Sequence, residues 1–300
     1  GGALPWDQFF RQLVVQLING ISIGLIYALI ASGFTLVMGV MNIVNFSHVE
    51  FYMLGAYIGW FFFTLTGNFW LGLVAAAALL ALLGLIVQLS VLKPLMDRGP
   101  LSTLLATFGL TLVFRQSALA TFGPLPKSLP KPWPFNGTFP ILGVQFSLFR
   151  VFIIFFAGAL IFAVWWFLQK TKYGVWIRAT VQDQDLASAL GIPIHRLYVV
   201  LFSVGAAMAG VSGMLAAPFF GIENTMGLDI IVVIFIVVIV GGLGSFPGSV
   251  LAGILFGEMQ SLGFIYVQNQ YLSAIVSFLI LVAVLAVRPQ GLFGKKGLLG

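Results

Sequence analysis

Apolar runs of membrane length follow one another from Leu13 to Val287 with only short polar connections, and this succession leaves few folds open. A bilayer core about 30 Å thick needs roughly 20 apolar residues per helix. With 60% hydrophobic residues, 7% charged residues and a mean hydropathy of +1.10, the chain cannot give a soluble domain its polar surface. The expected fold is all-α, a polytopic transmembrane helical bundle of about eight or nine spans. Residues 1–300 form one transmembrane domain, with no room for a separate soluble one.

Spans are expected over residues 13–40, 47–65, 70–92, 101–122, 147–168, 197–217 and 271–287. The first would cover about 42 Å at 1.5 Å per residue, so it is tilted or kinked. Its Gly20 and Gly24 form a small-xxx-small pair that admits a close neighbour. The sixth carries Gly205, Ala206, Ala209, Gly210, Ser212 and Gly213 for the same purpose. Two shorter runs, Ile230 to Val240 and Val250 to Leu262, flank the breaker GGLGSFPG at 241–248, and this pair either spans or is re-entrant. Prolines at 124, 126, 130, 132, 134 and 140 make residues 123–146 an irregular loop outside the membrane. Arg115 and Glu258 fall inside apolar runs, where they snorkel, pair with each other or pair with nearby acids. Trp60, Trp70, Trp165, Trp166 and Tyr198 stand near span ends as interfacial anchors.

Orientation follows from the basic residues. Nine of the 14 Lys and Arg lie in segments 93–98, 170–178, 196 and 288–296, all on one side, against Arg11, Lys127, Lys131 and Arg150 on the other. The positive-inside rule puts the first set in the cytoplasm, with the N-terminus outside and the C-terminus inside. The net charge of +6 therefore reports orientation and implies no nucleic acid. The absence of cysteine and the wide separation of His48 and His195 argue against metal chemistry.

Six of the 22 charged residues gather in the cytoplasmic loop 169–196: Lys170, Lys172, Arg178, Asp183, Asp185 and Arg196. Thr180 to Asp183 resembles a helix start, Leu186, Ala189 and Leu190 form an apolar stripe, and Gly191 and Pro193 enforce a stop. A helix of about eight to ten residues is expected, too short to persist unsupported in water. A second polar stretch, Asn42, Asn45, Ser47, His48 and Glu50, interrupts the first two spans. It either lines a translocation route or forms a structural hydrogen-bond network. His48 and Glu50 are two residues apart and leave a helix on different faces, which argues against a metal pair and against a simple ion pair. An intramembrane hydrolase would need Ser47 or Ser245 with His48, and adjacent Ser47 and His48 point poorly toward each other. No G-x-S-x-G and no G-x-x-x-x-G-K-[ST] occurs, so any ATP-driven work needs another subunit.

Three segments resemble the permease subunits of bacterial ABC importers for branched-chain amino acids: GLIYALIASGFTLVMGVMNIVNFSHVEFYMLGAY at 24–57, RATVQDQDLASALGI at 178–192 and GGLGSFPGSVLAGILFGEMQSL at 241–262, with RPQGLFG near the end. Val49 departs from the usual Gly after the His. The resemblance implies a multi-pass permease of the bacterial inner membrane that moves branched-chain or other neutral amino acids by alternating access. It implies a coupling helix that uses Arg178, Asp183, Asp185, Leu186, Ala187, Leu190 and Gly191 to reach the ATPase. Asn42, Asn45, His48 and Glu50 become candidates for the path, and Gly241, Gly242, Gly244 and Gly248 for helix packing or gating. The implied partners are membrane lipid, a second related permease, two ATPase subunits and an extracytoplasmic solute-binding protein. ATP and magnesium belong to the ATPase subunits, so this chain is non-catalytic and needs no cofactor of its own. A permease for urea or small amides and an ion-coupled secondary transporter are the alternatives.

Overall fold

The computed structural model describes residues 6–141, 143–267 and the isolated residues 275, 276, 279, 282, 283, 286 and 291. The expected last span, 271–287, falls largely outside them. Helix α1 (Trp6–Met41) is followed by α2 (His48–Thr66) and α3 (Phe69–Val87). A π-helical turn (Gln88–Leu92) leads into α4 (Lys93–Met96) and then α5 (Pro100–Phe122). A two-stranded hairpin, β1 (Thr138–Ile141) and β2 (Val144–Ser147), precedes α6 (Leu148–Lys170). The polar loop holds α7 (Lys172–Gln182) and α8 (Gln184–Ala189). The long helix α9 (Ile194–Phe220) and the broken pair α10 (Met226–Gly241) and α11 (Phe246–Val267) complete the described chain. Six of these helices are long and apolar enough to cross a membrane.

Close backbone approach organises the bundle. Along α1, a Cβ placed on Gly24 would lie 2.7 Å from the Cα of Ile254, and one on Gly253 would lie 2.8 Å from the Ala28 nitrogen. Such distances are open only to glycine, so α1 and α11 meet backbone to backbone through the small-xxx-small pair read from the sequence. Helix α9 is central: Gly205 meets Gly33 of α1, Gly210 meets Gly55 of α2, and Gly213 meets the Tyr52 carbonyl. Its small residues replace side-chain volume with contact between main chains. The alanines Ala28, Ala206 and Ala209, all fully buried, continue this close packing beside the glycines.

Two expectations need correction. Residues 123–146 are not wholly irregular, because β1 pairs antiparallel with β2 from Thr138↔Ser147 to Ile141↔Val144. Gly143 at φ 82 supplies the turn, and Pro140 is tolerated because a two-stranded hairpin consists of edges. The polar loop does not form one helix. Lys172 to Gln182 is itself helical because Gly174, Ile177 and Thr180 recur on one buried face, with α6 as its neighbour. The expected docking helix shrinks to the six residues of α8, which ends where Gly191 takes φ 84.

Candidate functional site

The break between α1 and α2 is built from residues that replace lost helical hydrogen bonds. Asn42 ends α1 at φ 52, a left-handed conformation that asparagine tolerates better than most side chains. Asn45 Oδ1 accepts from the Ser47 amide (3.1 Å) and from Ser47 Oγ (2.7 Å), which turns the chain into α2. His48 places Nε2 3.2 Å from the Ile30 carbonyl oxygen and packs against the Phe34 ring. Its neighbour Val49 is buried too, beneath α10 where Gly227 passes over the Val49 carbonyl.

Helix α5 supplies what the sequence did not reveal. Thr103, Thr107, Thr111, Phe114 and Ala118 form its buried face. Thr107 Oγ1 accepts from the Phe46 amide at 3.3 Å, and sits 3.3 Å from the Val44 carbonyl and 3.0 Å from the Leu104 carbonyl of its own turn. One hydroxyl thus serves two backbone groups that the break exposes. A threonine every fourth residue in an apolar run was the available signal. Replacing Thr107 by valine should cost about 1–3 kcal/mol through the orphaned backbone groups, read as a lower melting temperature in detergent. Thr107→Ser should retain most of the stability.

One helical turn beyond the threonines, Arg115 Nη2 lies 2.6 Å from Oε1 of Glu50, whose side chain is fully buried. Of the two intramembrane charges read from the sequence, Arg115 therefore pairs with a nearby acid. Glu258 instead lies against Gly20 of α1. His48 and Glu50 take separate partners, as their spacing requires. Ser47 Oγ is committed to Asn45, and Ser245 Oγ accepts from the Gly248 amide at 3.2 Å, so neither serine addresses His48.

The breaker between α10 and α11 is fastened to α1. Gly242 and Gly244 take φ 99 and 78, and the Gly244 amide donates to Thr35 Oγ1 at 3.1 Å. Gly39 of α1 crosses directly over Gly244, and a Cβ on Gly241 would lie 2.6 Å from the carbonyl carbon of Gly248. These five glycines let two helix ends and a third helix share one point.

On the polar loop, the predicted contact residues separate by direction. Asp183 is the N-cap of α8, its Oδ1 accepting from the Leu186 amide at 2.9 Å. Arg178 donates to the Leu168 carbonyl at the end of α6. Ala187 is buried, whereas Leu186 and Leu190 are 57% and 74% exposed, so the apolar stripe faces outward. Ala189 is exposed as well. Asp185 instead lines a cavity of about 740 Å³ between the end of α1, the turn from α4 into α5, α8 and the start of α9. Asn42 borders the same cavity, while Asn45, His48 and Glu50 are packed away from it. Tyr198, expected as an interfacial anchor, is 2% exposed and forms part of the cavity wall.

Comparison with known proteins agrees with this architecture. Residues 16–285 match the family model described as branched-chain amino acid transport system, permease component. The chain is 30% identical to the LivH permease protein of the high-affinity branched-chain amino acid transport system of Escherichia coli, over 95% of this chain and 97% of the relative. It is also 30% identical to the BraD permease protein of Pseudomonas aeruginosa, over 93% and 95% of the two chains. A probable branched-chain amino acid transport permease of Methanocaldococcus jannaschii is 28% identical over 89% and 88%.

Proposed function

The chain belongs to the branched-chain amino acid transport permease family, and from that premise we propose that it imports branched-chain or other neutral amino acids under the drive of ATP. It is a multi-pass inner-membrane permease subunit and not an enzyme. It works with a second related permease, two ATPase subunits that bind ATP and magnesium, and an extracytoplasmic solute-binding protein. Its bundle alternates between outward and inward openings. The observation that carries this reading is the family match over residues 16–285. The names of the relatives lend no support to a urea or small-amide cargo or to ion-coupled transport.

The short helix α8 is the point of attachment for the ATPase. It projects Leu186 and Leu190 away from the bundle, on a helix too short to stand alone. Asp183 secures the start of that helix and Gly191 its end, so these residues shape the contact while the leucines make it. Arg178 holds α7 against α6, the segment through which displacement of α8 passes to the span. Asn42 stands at the inner mouth of the path. Asn45, His48 and Glu50 form the supporting network behind it, and Gly241, Gly242, Gly244 and Gly248 give α10 and α11 a compact joint.

The test is reconstitution in proteoliposomes. Leucine uptake should require ATP, both ATPase subunits, the partner permease and the solute-binding protein. Uptake by this chain alone under an ion gradient would overturn the reading. Leu186→Glu together with Leu190→Glu should cut ATP-dependent uptake by about tenfold or more, the scale of an interface hot spot of about 2 kcal/mol. The thermal stability of the purified permease should remain unchanged, because both side chains already face away from the bundle.

A further inference from the structure

The cavity beneath α8 carries chemistry that helix packing does not use. Asp97 and Asp185 stand on its wall with Arg196, and among the described residues none of the three makes an ion pair. Tyr198 is buried on the same wall, and among the described residues its hydroxyl has no hydrogen-bond partner. Uncompensated buried hydroxyls are costly, so this one points to a ligand or water that completes it. The remaining wall mixes apolar Met41, Ile43 and Met96 with polar Thr103, Gln184 and Ser188. At about 740 Å³ the space falls within the range of roughly 300–1,000 Å³ typical of small-molecule sites.

We propose that this cavity is a cytoplasm-facing binding site for the zwitterion of a neutral, apolar amino acid, and that its occupancy restrains α8. Two carboxylates and a guanidinium around one space match an ammonium and a carboxylate held on the same molecule. The methionine and isoleucine side chains receive an aliphatic group, and the Tyr198 hydroxyl completes its hydrogen bonding on the ligand carboxylate. A urea lacks the charges, and a sugar lacks both the charges and the apolar end. The site joins three separate elements: Asp185 is on α8, Asp97 follows α4, and Arg196 is in the first turn of α9. A ligand spanning them ties the coupling helix to the membrane bundle and opposes its movement. Accumulated cytoplasmic amino acid therefore slows further import from the inner face.

The regulatory consequence rests on the import reading above, whereas binding at the cavity does not. The binding test uses the purified complex of permeases and ATPase subunits without the solute-binding protein, titrated calorimetrically with leucine, urea and arabinose. Saturable binding of leucine alone is expected. Arg196→Gln, Asp97→Asn and Tyr198→Phe should each weaken it by about fivefold or more, within the about 1–3 kcal/mol cost of leaving a polar partner unmatched. Melting temperature and gel-filtration profile report folding, and Tyr198→Phe keeps the shape of the wall. No saturable leucine binding, or wild-type affinity in all three folded variants, overturns the proposal. In proteoliposomes, the internal leucine concentration that halves each protein's own initial uptake should rise in the same variants. An unchanged value overturns the regulatory step. Absence of leucine uptake in the complete wild-type system contradicts the import reading and leaves the binding result to decide the site.

Discussion

Arg115→Met should destabilise the bundle by about 3–5 kcal/mol, the cost of removing one partner from a buried ion pair. Glu50 is fully buried, and its Oε1 accepts from Arg115 at 2.6 Å. Among the described residues its other oxygen has no hydrogen-bond partner, and it lies under Gly227, where a Cβ would come within 2.7 Å. Without Arg115 the carboxylate has no countercharge in an apolar bundle and must protonate or draw in water. The effect extends beyond the pair, because Arg115 lies on the face of α5 that also packs Phe114 against Phe51 and Phe122 against Tyr57 of α2. Thermal unfolding of the detergent-solubilised protein measures the loss. The double variant Arg115→Met with Glu50→Gln should recover most of it, since a neutral amide needs no countercharge. Equal melting temperatures for the single variant and the wild type would remove the pair from any account of stability.

Gly257→Leu should be as damaging, by a different cause. A Cβ at Gly257 would lie 2.5 Å from the Gly20 carbonyl oxygen and against the backbone of Gly24, and real Cβ atoms do not come within 3.0 Å. The obstacle is main chain, so no rotamer change can relieve it, and α1 and α11 must separate. The cost reaches or exceeds the upper end of the about 1–3 kcal/mol typical of overpacking. Separation would also strain the neighbouring links, in which Ser261 Oγ donates to Gln16 (2.7 Å) and Tyr27 OH donates to Gln260 (3.3 Å). Gly158→Leu is the control. It is also a glycine within a long helix, but a Cβ there meets nothing within 4 Å. With that space open among the described residues, its variant should fold as well as the wild type, because leucine has the higher helix propensity. Matching losses at the two positions would show that helix flexibility, and not close approach, is what Gly257 supplies.

These two positions mark different degrees of legibility. Gly20 and Gly24 announce a packing face through their spacing, and the structure seats α11 on it. Arg115 announces only that it needs a partner, since Glu50 is 65 residues away. Thr107 announced less, because a threonine in an apolar helix most often bonds its own preceding turn, as Thr111 does. Tyr198 turns inward although it stands near a span end, because proximity to a span end does not say which way a ring turns. Asp183 and Asp185 stand close in sequence, yet one caps a helix and the other faces a cavity.

The sequence by itself determined the bundle of spans, the position of the polar loop and the family. These depend on the length of apolar runs and on local residue order, which lipid and the backbone read within a single segment. Only the tertiary structure decided that Glu50 belongs to Arg115, that Leu186 and Leu190 face outward, and that Asp97, Asp185, Arg196 and Tyr198 share one cavity. Those relations join residues far apart in the chain, and hydrogen bonds, ion pairs and cavities act over a few ångströms of space regardless of separation along the backbone.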